Sequence, residues 1–276
     1  MADYPALEID LPAGDACLPD LLYAVLDDFE PSAIHEQDAG QTWRVFFRSA
    51  AARDDARAAV LQLPGLDVRA LDVPDEDWAR RSQENLKAIE AGRLLIAPPW
   101  DVPRSGSTPV IIIEPSTGFG TGHHATTRLC LRLLQQLELR GSRVLDVGTG
   151  SGVLALAAWK LGASDVAAVD NDPDALDNAR DNIARNGAGA SIDIICDGLD
   201  TLRVQRADVV LANLTGAVLV RYAGELQSLV ADDGYLIVSG FAPQDAAVIQ
   251  AAFAGLAVID TKIDGDWAAL CFQRTR

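Results

Sequence analysis

The fold is decided by the stretch VLDVGTGSG at residues 144–152, in which an apolar segment leads directly into a glycine-rich turn. Gly148 and Gly150 permit tight turning and a close approach between the backbone and a ligand. Gly152 allows the helix that follows to start close to the sheet. The stretch therefore predicts a strand, a ligand-binding turn and a helix, which together form the repeating unit of an α/β fold.

The same alternation of strand and helix continues to the end of the chain. Apolar runs predict seven strands, at 143–147, 166–169, 192–196, 208–212, 235–239, 257–263 and 268–273, the last two as an antiparallel hairpin. Helices are predicted near 152–162, 173–187 and 215–231. Continuous apolar strands belong to parallel sheets that are covered on both faces. We therefore predict a doubly wound, seven-stranded, Rossmann-like sheet within a domain spanning residues 108–276.

The N-terminal part of the chain has a different pattern. Its predicted order is strand, helix, strand, strand, helix, strand, at 4–11, 18–29, 32–37, 42–48, 52–62 and 66–72. This is the order of a small α+β ferredoxin-like domain, which we assign to residues 1–73. Residues 74–107 are predicted to be a connector that begins with a polar helix over 75–91, ending before Gly92 as a C-cap.

Composition excludes several classes of protein. The 276 residues carry a formal net charge of −17, which disfavours direct binding to nucleic acid and favours a basic protein partner, unless the acidity serves only solubility. The first residues lack the pattern of a signal peptide, and no apolar run is long enough to span a bilayer. Four widely spaced cysteines argue against a disulfide framework or a zinc site. We expect a cytoplasmic enzyme that binds no metal and no membrane.

The glycine spacing bears on the cofactor. A dinucleotide fingerprint is G-x-G-x-x-G, whereas this turn is G-x-G-x-G with Val153 at the position of the last glycine. Asp170 ends the next strand, 22 residues after Gly148, where a carboxylate can accept hydrogen bonds from both ribose hydroxyls. The alternative is that Asp170 is an acid at the start of a helix, although Asp172 would cap that helix equally well.

Further polar residues stand at the ends of predicted strands. Asn213 ends the strand at 208–212, where it either holds a substrate nitrogen beside the cofactor or caps the next helix. Asp146 is predicted to meet the amino group of the cofactor directly or through water, and Asp197 to accept from an adenine amino group. Ordinary solvation of a loop is the alternative for both acids.

Three segments carry a resemblance to a known family. They are EPSTGFGTGHHATT at 114–127, DVGTGSG at 146–152 and ANL at 212–214, and further similarity extends upstream to Asp77 and Trp78. The chain resembles the PrmA-type class I S-adenosylmethionine-dependent methyltransferases, which modify ribosomal large-subunit protein L11. The resemblance implies that Thr127, Gly148, Asp170 and Asn213 contact S-adenosylmethionine. It also implies that Phe119 to Gly122 form a loop over the cofactor.

The resemblance implies methyl transfer to amino groups of a basic protein, on lysine side chains, the N-terminal amine or both. Asn213 would orient the amine, while Gly150, Asp146 and Phe119 would complete the cofactor site. The rival functions are lysine methylation of a non-ribosomal protein, a nicotinamide-dependent oxidoreductase, and a non-catalytic S-adenosylmethionine-binding module. His123 and His124 have no assigned role, since a metal site or a general base is disfavoured against loop packing. The target residues and the oligomeric state are not determined by the sequence.

The distribution of charge suggests a role for the N-terminal domain. Residues 1–75 contain 15 acidic and 5 basic residues, a net charge of −10, whereas the longer remainder carries 25 acidic and 18 basic residues, a net charge of −7. A basic substrate is attracted by such a field, which speeds encounter and fixes orientation. We therefore expect this domain to select the substrate.

Overall fold

The computed structural model describes residues 3–12, 18–27, 29, 31–37, 42–63, 65–74, 86–104, 106–115 and 123–275. The chain divides into two compact units, Met1–Asn85 and Leu86–Arg276. The first unit ends inside the predicted connector, so residues 86–107 belong to the larger unit. None of the described helices is long and apolar enough to span a bilayer.

The smaller unit is an antiparallel sheet with two helices. In chain order its elements are β1 (Asp3–Asp10), α1 (Leu18–Asp27), β2 (Ala33–Gln37), β3 (Thr42–Phe46), α2 (Ala50–Val60) and β4 (Asp67–Pro74). The strands pair in the order β2-β3-β1-β4, and every pairing is antiparallel. Leu7 and Ile9 alternate along β1 and pack against Leu22 and Leu26 of α1, which explains why the two elements associate. The predicted β-α-β-β-α-β order is confirmed.

The larger unit contains the predicted doubly wound sheet. Its elements are β5 (Ile89–Ala91), β6 (Leu94–Ala97), β7 (Val110–Ile112), α3 (Ala125–Leu134), β8 (Arg143–Val147), α4 (Val153–Lys160), β9 (Asp165–Asp170), α5 (Pro173–Arg185), β10 (Ile192–Cys196), β11 (Ala207–Asn213), α6 (Gly216–Arg221), α7 (Ala223–Leu229), β12 (Val230–Phe241), α8 (Ala246–Ala252), β13 (Ala257–Asp264) and β14 (Trp267–Gln273). The seven-stranded sheet has the order β10-β9-β8-β11-β12-β14-β13. Among these described strands, β14 alone points in the direction opposite to the other six.

Alternate residues of the strands bury on opposite faces of this sheet. In β8, Val144 packs in a cluster with residues of α3, α4 and α5. Its neighbour Leu145 packs in a second cluster with residues of α6, α7 and α8. Both faces are therefore covered, which accounts for the nearly continuous apolar composition of the strands. The order of strands reverses between β8 and β11, and ligands of such sheets bind beyond the carboxyl ends of the strands at that point.

The prediction of a helix over 75–91 is wrong for residues 86–91, the part that the structure describes. Residues 75–85 lie outside the described part of the chain, and Ile89–Ala91 is a strand that pairs antiparallel with Leu94–Ala97. Gly92, with a φ of 66°, occupies the two-residue turn between these strands. Glycine suits a helix C-cap and a tight hairpin turn for the same reason, its freedom to adopt positive φ, so Gly92 does not distinguish the two.

Three other assignments differ from the predictions. The helix predicted over 215–231 is divided at Tyr222, where φ is −107° and ψ is 22°, and its last residues belong to β12. Helices α3 and α8 were not predicted. Of these, α3 bears directly on the site because it begins inside the segment that carries the family resemblance.

Candidate active site

The glycine-rich turn between β8 and α4 lies at the carboxyl edge of the sheet and is fixed to the end of β9. Gly148, Gly150 and Gly152 have φ values of 69°, 54° and 81°, a region that favours glycine. The amides of Gly148 and Thr149 both donate to the carbonyl oxygen of Val169, at 2.9 Å. These two bonds fix the turn against the carboxyl end of β9.

Gly148 also makes room for the chain that follows β11. A Cβ atom on Gly148 would lie 2.3 Å from Cδ2 of Leu214, and one on Gly240 would lie 2.1 Å from the Leu214 carbonyl oxygen. The Leu214 amide in turn donates to the carbonyl oxygen of Ser239 at 3.0 Å. Leu214 is thus enclosed by two glycines from different strand ends, which fixes the position of its neighbour Asn213.

Asp170 is part of the wall of the site and is not a helix cap. Its Oδ2 atom accepts from the Gly150 amide at 3.0 Å, and its Oδ1 atom accepts from the Asp172 amide at 3.1 Å. The N-cap of α5 is Asp172, whose side chain accepts from the Asp174 amide at 3.0 Å. The helix-start alternative for Asp170 is therefore wrong, while its contact with a ribose stays a prediction.

Asn213 is brought next to Thr127, although 86 residues separate them in the sequence. The Asn213 Nδ2 atom donates to the Thr127 Oγ1 atom at 3.4 Å, and Thr127 is only 1% exposed. The N-cap of α6 is Thr215, so the capping alternative for Asn213 is wrong. Two residues that the family resemblance implied as cofactor ligands thus form one polar pair.

Asp146 lies beneath the turn and outside the residues that line the cavities. Its Oδ2 atom accepts from Thr149 Oγ1 at 2.6 Å and from the Ala155 amide at 3.0 Å. No residue in the described part of the chain bonds its buried Oδ1 atom. Burial, as the largest cause, raises the pKa of this carboxyl to about 6. This unpaired oxygen can still accept a hydrogen bond, from a water molecule or from an amino group.

Two cavities meet at the carboxyl edge of the sheet. The larger, about 420 Å³, is lined by Thr127, Gly150 and Asn213 among others. The smaller, about 130 Å³, is lined by Asp197, whose carboxylate already accepts from the Gly198 amide at 2.9 Å. The two share the lining residues Gly148, Asp170, Asn171, Leu214 and Val218. They therefore adjoin, and Asp170 stands where the two cavities meet.

An aromatic pair stands on one side of the larger cavity. His124 and Trp267 meet edge to face, with ring centroids 4.8 Å apart, and both line that cavity. Trp267 is half-buried: it packs against the hydrophobic core and also lines the cavity wall. His124 is the N-cap of α3, accepting from the Thr126 amide, and burial together with the charge of Arg128 lowers its pKa. It is therefore a neutral, structural part of the wall.

One predicted part of the site lies outside the described residues, and two contacts in the site were not predicted from the sequence. Phe119 and the predicted loop up to Gly122 lie outside the described residues. The enclosure of Leu214 and the pairing of His124 with Trp267 were not predicted, because their partners are distant in sequence and no local pattern marks them.

Comparisons with known proteins point to one family. A family model described as ribosomal protein L11 methyltransferase (PrmA) matches residues 29–275. A ribosomal protein L11 methyltransferase from Pelotomaculum thermopropionicum is 41% identical over 217 residues, 77% of this chain and 70% of that protein. One from Geobacter sulfurreducens is 43% identical over 206 residues, 73% of this chain and 67% of that protein. The crystal structure of a ribosomal protein L11 methylase from Lactobacillus delbrueckii subsp. bulgaricus matches with a TM-score of 0.64 and 30% identity, covering 69% of this chain and 100% of that one.

Proposed function

Because this chain belongs to the ribosomal protein L11 methyltransferase family, we propose that it transfers methyl groups from S-adenosylmethionine to amino groups of protein L11. The acceptors would be lysine side chains, the N-terminal amine or both. One observation carries the proposal: Thr127, Gly148, Asp170 and Asn213, scattered over the sequence, all line the larger cavity.

The shape and chemistry of the site suit S-adenosylmethionine. Asp170, where the two cavities meet, offers carboxylate oxygens to the ribose hydroxyls. The smaller cavity, with Asp197 and Leu199 in its lining, suits the adenine ring. Asp146 does not line either cavity, so the amino group of the methionine part would reach its buried, unpaired Oδ1 atom through a water molecule. These features support the cofactor that the family implies.

When bound, S-adenosylmethionine would supply a methyl group from a positively charged sulfur: the acceptor nitrogen bonds to the methyl carbon, the carbon–sulfur bond breaks, and the neutral thioether S-adenosylhomocysteine leaves. The protein has to hold the nucleophile in line and keep water away. Asn213 is placed for the first task, since its Nδ2 atom donates to Thr127 and its Oδ1 atom can accept a hydrogen bond from an amine. Leu214, Val218 and Trp267 line the same cavity with apolar surface that displaces water.

The acceptor amine must lose its proton before it can react. A lysine in water has a pKa of about 10.4, and a half-buried apolar wall lowers it because the charged form loses hydration. His124 is ill suited to remove the proton through Nδ1, since that atom already accepts from the Thr126 amide. Its lowered pKa also keeps the ring uncharged, so it does not repel the incoming amine.

The experiment that tests this function uses labelled S-adenosylmethionine with purified L11 and, separately, with a ribosome-free lysate. Label on amino groups of L11, located by mass spectrometry, is the expected result, and the Asn213→Ala variant should label it far less. Label on another protein alone would support the non-ribosomal alternative. Absence of label from every protein would contradict amine methylation. A ribosomal substrate agrees with the cytoplasmic location expected from the sequence.

A further inference from the structure

Two side-by-side contacts join α3 to the hairpin of β13 and β14. His124 and Arg128 are four residues apart, hence on the same face at the start of α3. Asp264 and Trp267 are register partners across the two-residue turn of the hairpin. The aromatic contact joins His124 to Trp267, and an ion pair joins Arg128 to Asp264.

Arg128 serves both sides of this junction. Its Nη2 atom donates to Asp264 Oδ2 at 2.9 Å, and its Nη1 atom donates to the carbonyl oxygen of His123. The two side chains of the ion pair are 28% and 32% exposed, so solvent weakens the pair without removing it. One guanidinium group therefore fixes the backbone that precedes α3 and, at the same time, the end of β13.

From this geometry we propose that Arg128 is a positioning residue for the methyl acceptor. By tying the start of α3 to the hairpin, it holds His124 and Trp267 as one rigid wall of the larger cavity. The wall receives the stem of a lysine-like acceptor, since an aromatic face packs against methylene groups, and its apolar surface favours the uncharged amine that reacts. The proposal rests on the proposed function, because it assigns the acceptor side of the same site.

The contacts predict that Arg128 affects the acceptor and spares the cofactor. Thr127 is held by Asn213, and the glycine turn is held by the carbonyl oxygen of Val169 and by Asp170. Neither set of bonds involves Arg128. His124 and Trp267 line the larger cavity and are not among the residues that line the smaller one, where we place the adenine.

A matched control exists on the same sheet. Arg143 pairs with Asp165 at 2.5 Å, with side chains 25% and 45% exposed, at the starts of β8 and β9. This pair is similar in type and exposure, but it lies at the amino ends of the strands, away from the cavities. Arg143→Gln should therefore reproduce any general loss of stability without moving the wall.

The experiment compares Arg128→Gln, Asp264→Asn and their double variant with Arg143→Gln in the full chain. For Arg128→Gln we expect the KM for L11 to rise about tenfold, equivalent to about 1.4 kcal/mol, with the affinity for S-adenosylmethionine within about twofold of wild type. The double variant should be little worse than either single variant, because both remove the same contact. Arg128→Lys should restore only part of the effect, since one ammonium group does not reproduce the guanidinium fork.

A second measurement is independent of the acceptor. The fluorescence of Trp267, obtained as the difference between each protein and its Trp267→Phe counterpart, should be quenched more readily by acrylamide in Arg128→Gln than in wild type or Arg143→Gln. If wild type does not methylate L11, the proposed function fails while this result still stands. The positioning role is overturned if quenching is unchanged, or if Arg128→Gln and Arg143→Gln alter the KM for L11 equally.

Discussion

Thr149 donates its hydroxyl hydrogen to Asp146, with Oγ1 and Oδ2 2.6 Å apart, and both side chains are almost fully buried beneath the glycine-rich turn. The same carboxylate accepts from the amide of Ala155 in the first turn of α4. A single acid thus links the end of β8, the turn and the helix, so the shape of the turn depends on one buried acceptor oxygen.

Stability should depend on pH through Asp146. Burial raises its pKa in the folded chain to about 6, from 3.8 for the ordinary group. Between these pKa values the folded state binds more protons than the unfolded state. The contribution of Asp146 to the stability of the fold is therefore fully present at low pH and is lost as the pH rises through 6. Asp146→Asn keeps an acceptor for Thr149 and removes the charge. At pH 8 we expect this variant to be more stable than wild type by up to about 3 kcal/mol in the free energy of unfolding, and hence to melt at a higher temperature. The difference in melting temperature should shrink toward pH 4.

The control for this effect is Asp165→Asn, because Asp165 lies at the amino edge of the sheet and is not comparably buried. It should show no such gain at pH 8. Equal melting of Asp146→Asn and wild type at both pH values would show that the charge is not penalised. Asp146→Asn should also bind S-adenosylmethionine more weakly, because an amide nitrogen, which donates, replaces the unpaired Oδ1 acceptor.

Asp170→Asn should weaken cofactor binding by about 1–3 kcal/mol, because an amide forms weaker hydrogen bonds than a carboxylate with the ribose and with Gly150. Calorimetry with S-adenosylhomocysteine measures the loss. Asp165→Asn, at the first residue of the same strand, is the matched control and should bind normally. Similar affinity in the two variants would argue against the ribose contact.

Asn213→Ala should lower kcat on the order of a hundredfold, because a misplaced nucleophile reacts slowly, while the melting temperature changes little. The fold should tolerate the change because the bond to Thr127 is long, at 3.4 Å, and Leu214 is held independently by Ser239. Single-turnover methylation and thermal melting separate the two effects. Unchanged turnover would refute the orienting role.

The acidic N-terminal unit should govern encounter with the basic substrate. Lysine substitutions at Asp55 and Asp67, both exposed, should lower kcat/KM for L11 and reduce its dependence on salt, because opposite charges speed association. Asp232→Lys, at the amino end of β12, is the control and should have less effect.

A fragment beginning at Leu86 should keep cofactor affinity but lose methylation of L11. Full-rate methylation by that fragment would refute substrate selection by this unit.

The sequence predicted the fold well wherever local pattern alone decides an element. The alternation of apolar strands with helices gave all seven strands of the main sheet, since residues such as Val144 and Leu145 are apolar to suit opposite covered faces. Prediction failed at 86–91, where the hairpin depends on Ile89 pairing with Ile96 and on β6 pairing with β7. Such pairing is a tertiary event that a short segment does not encode locally.

For the site, the sequence by itself determined which chemical groups stand at strand ends. Gly148 follows one apolar strand, Asp170 and Asn213 are the last residues of two others, and parallel strands bring those ends to one edge. Only the tertiary structure decided how they are used. It buried Asp146 beneath the turn, enclosed Leu214 between Gly148 and Gly240, and set Trp267 against His124. The reason is physical, because these contacts join residues far apart in the chain, and their distances follow from packing of the whole sheet and its helices.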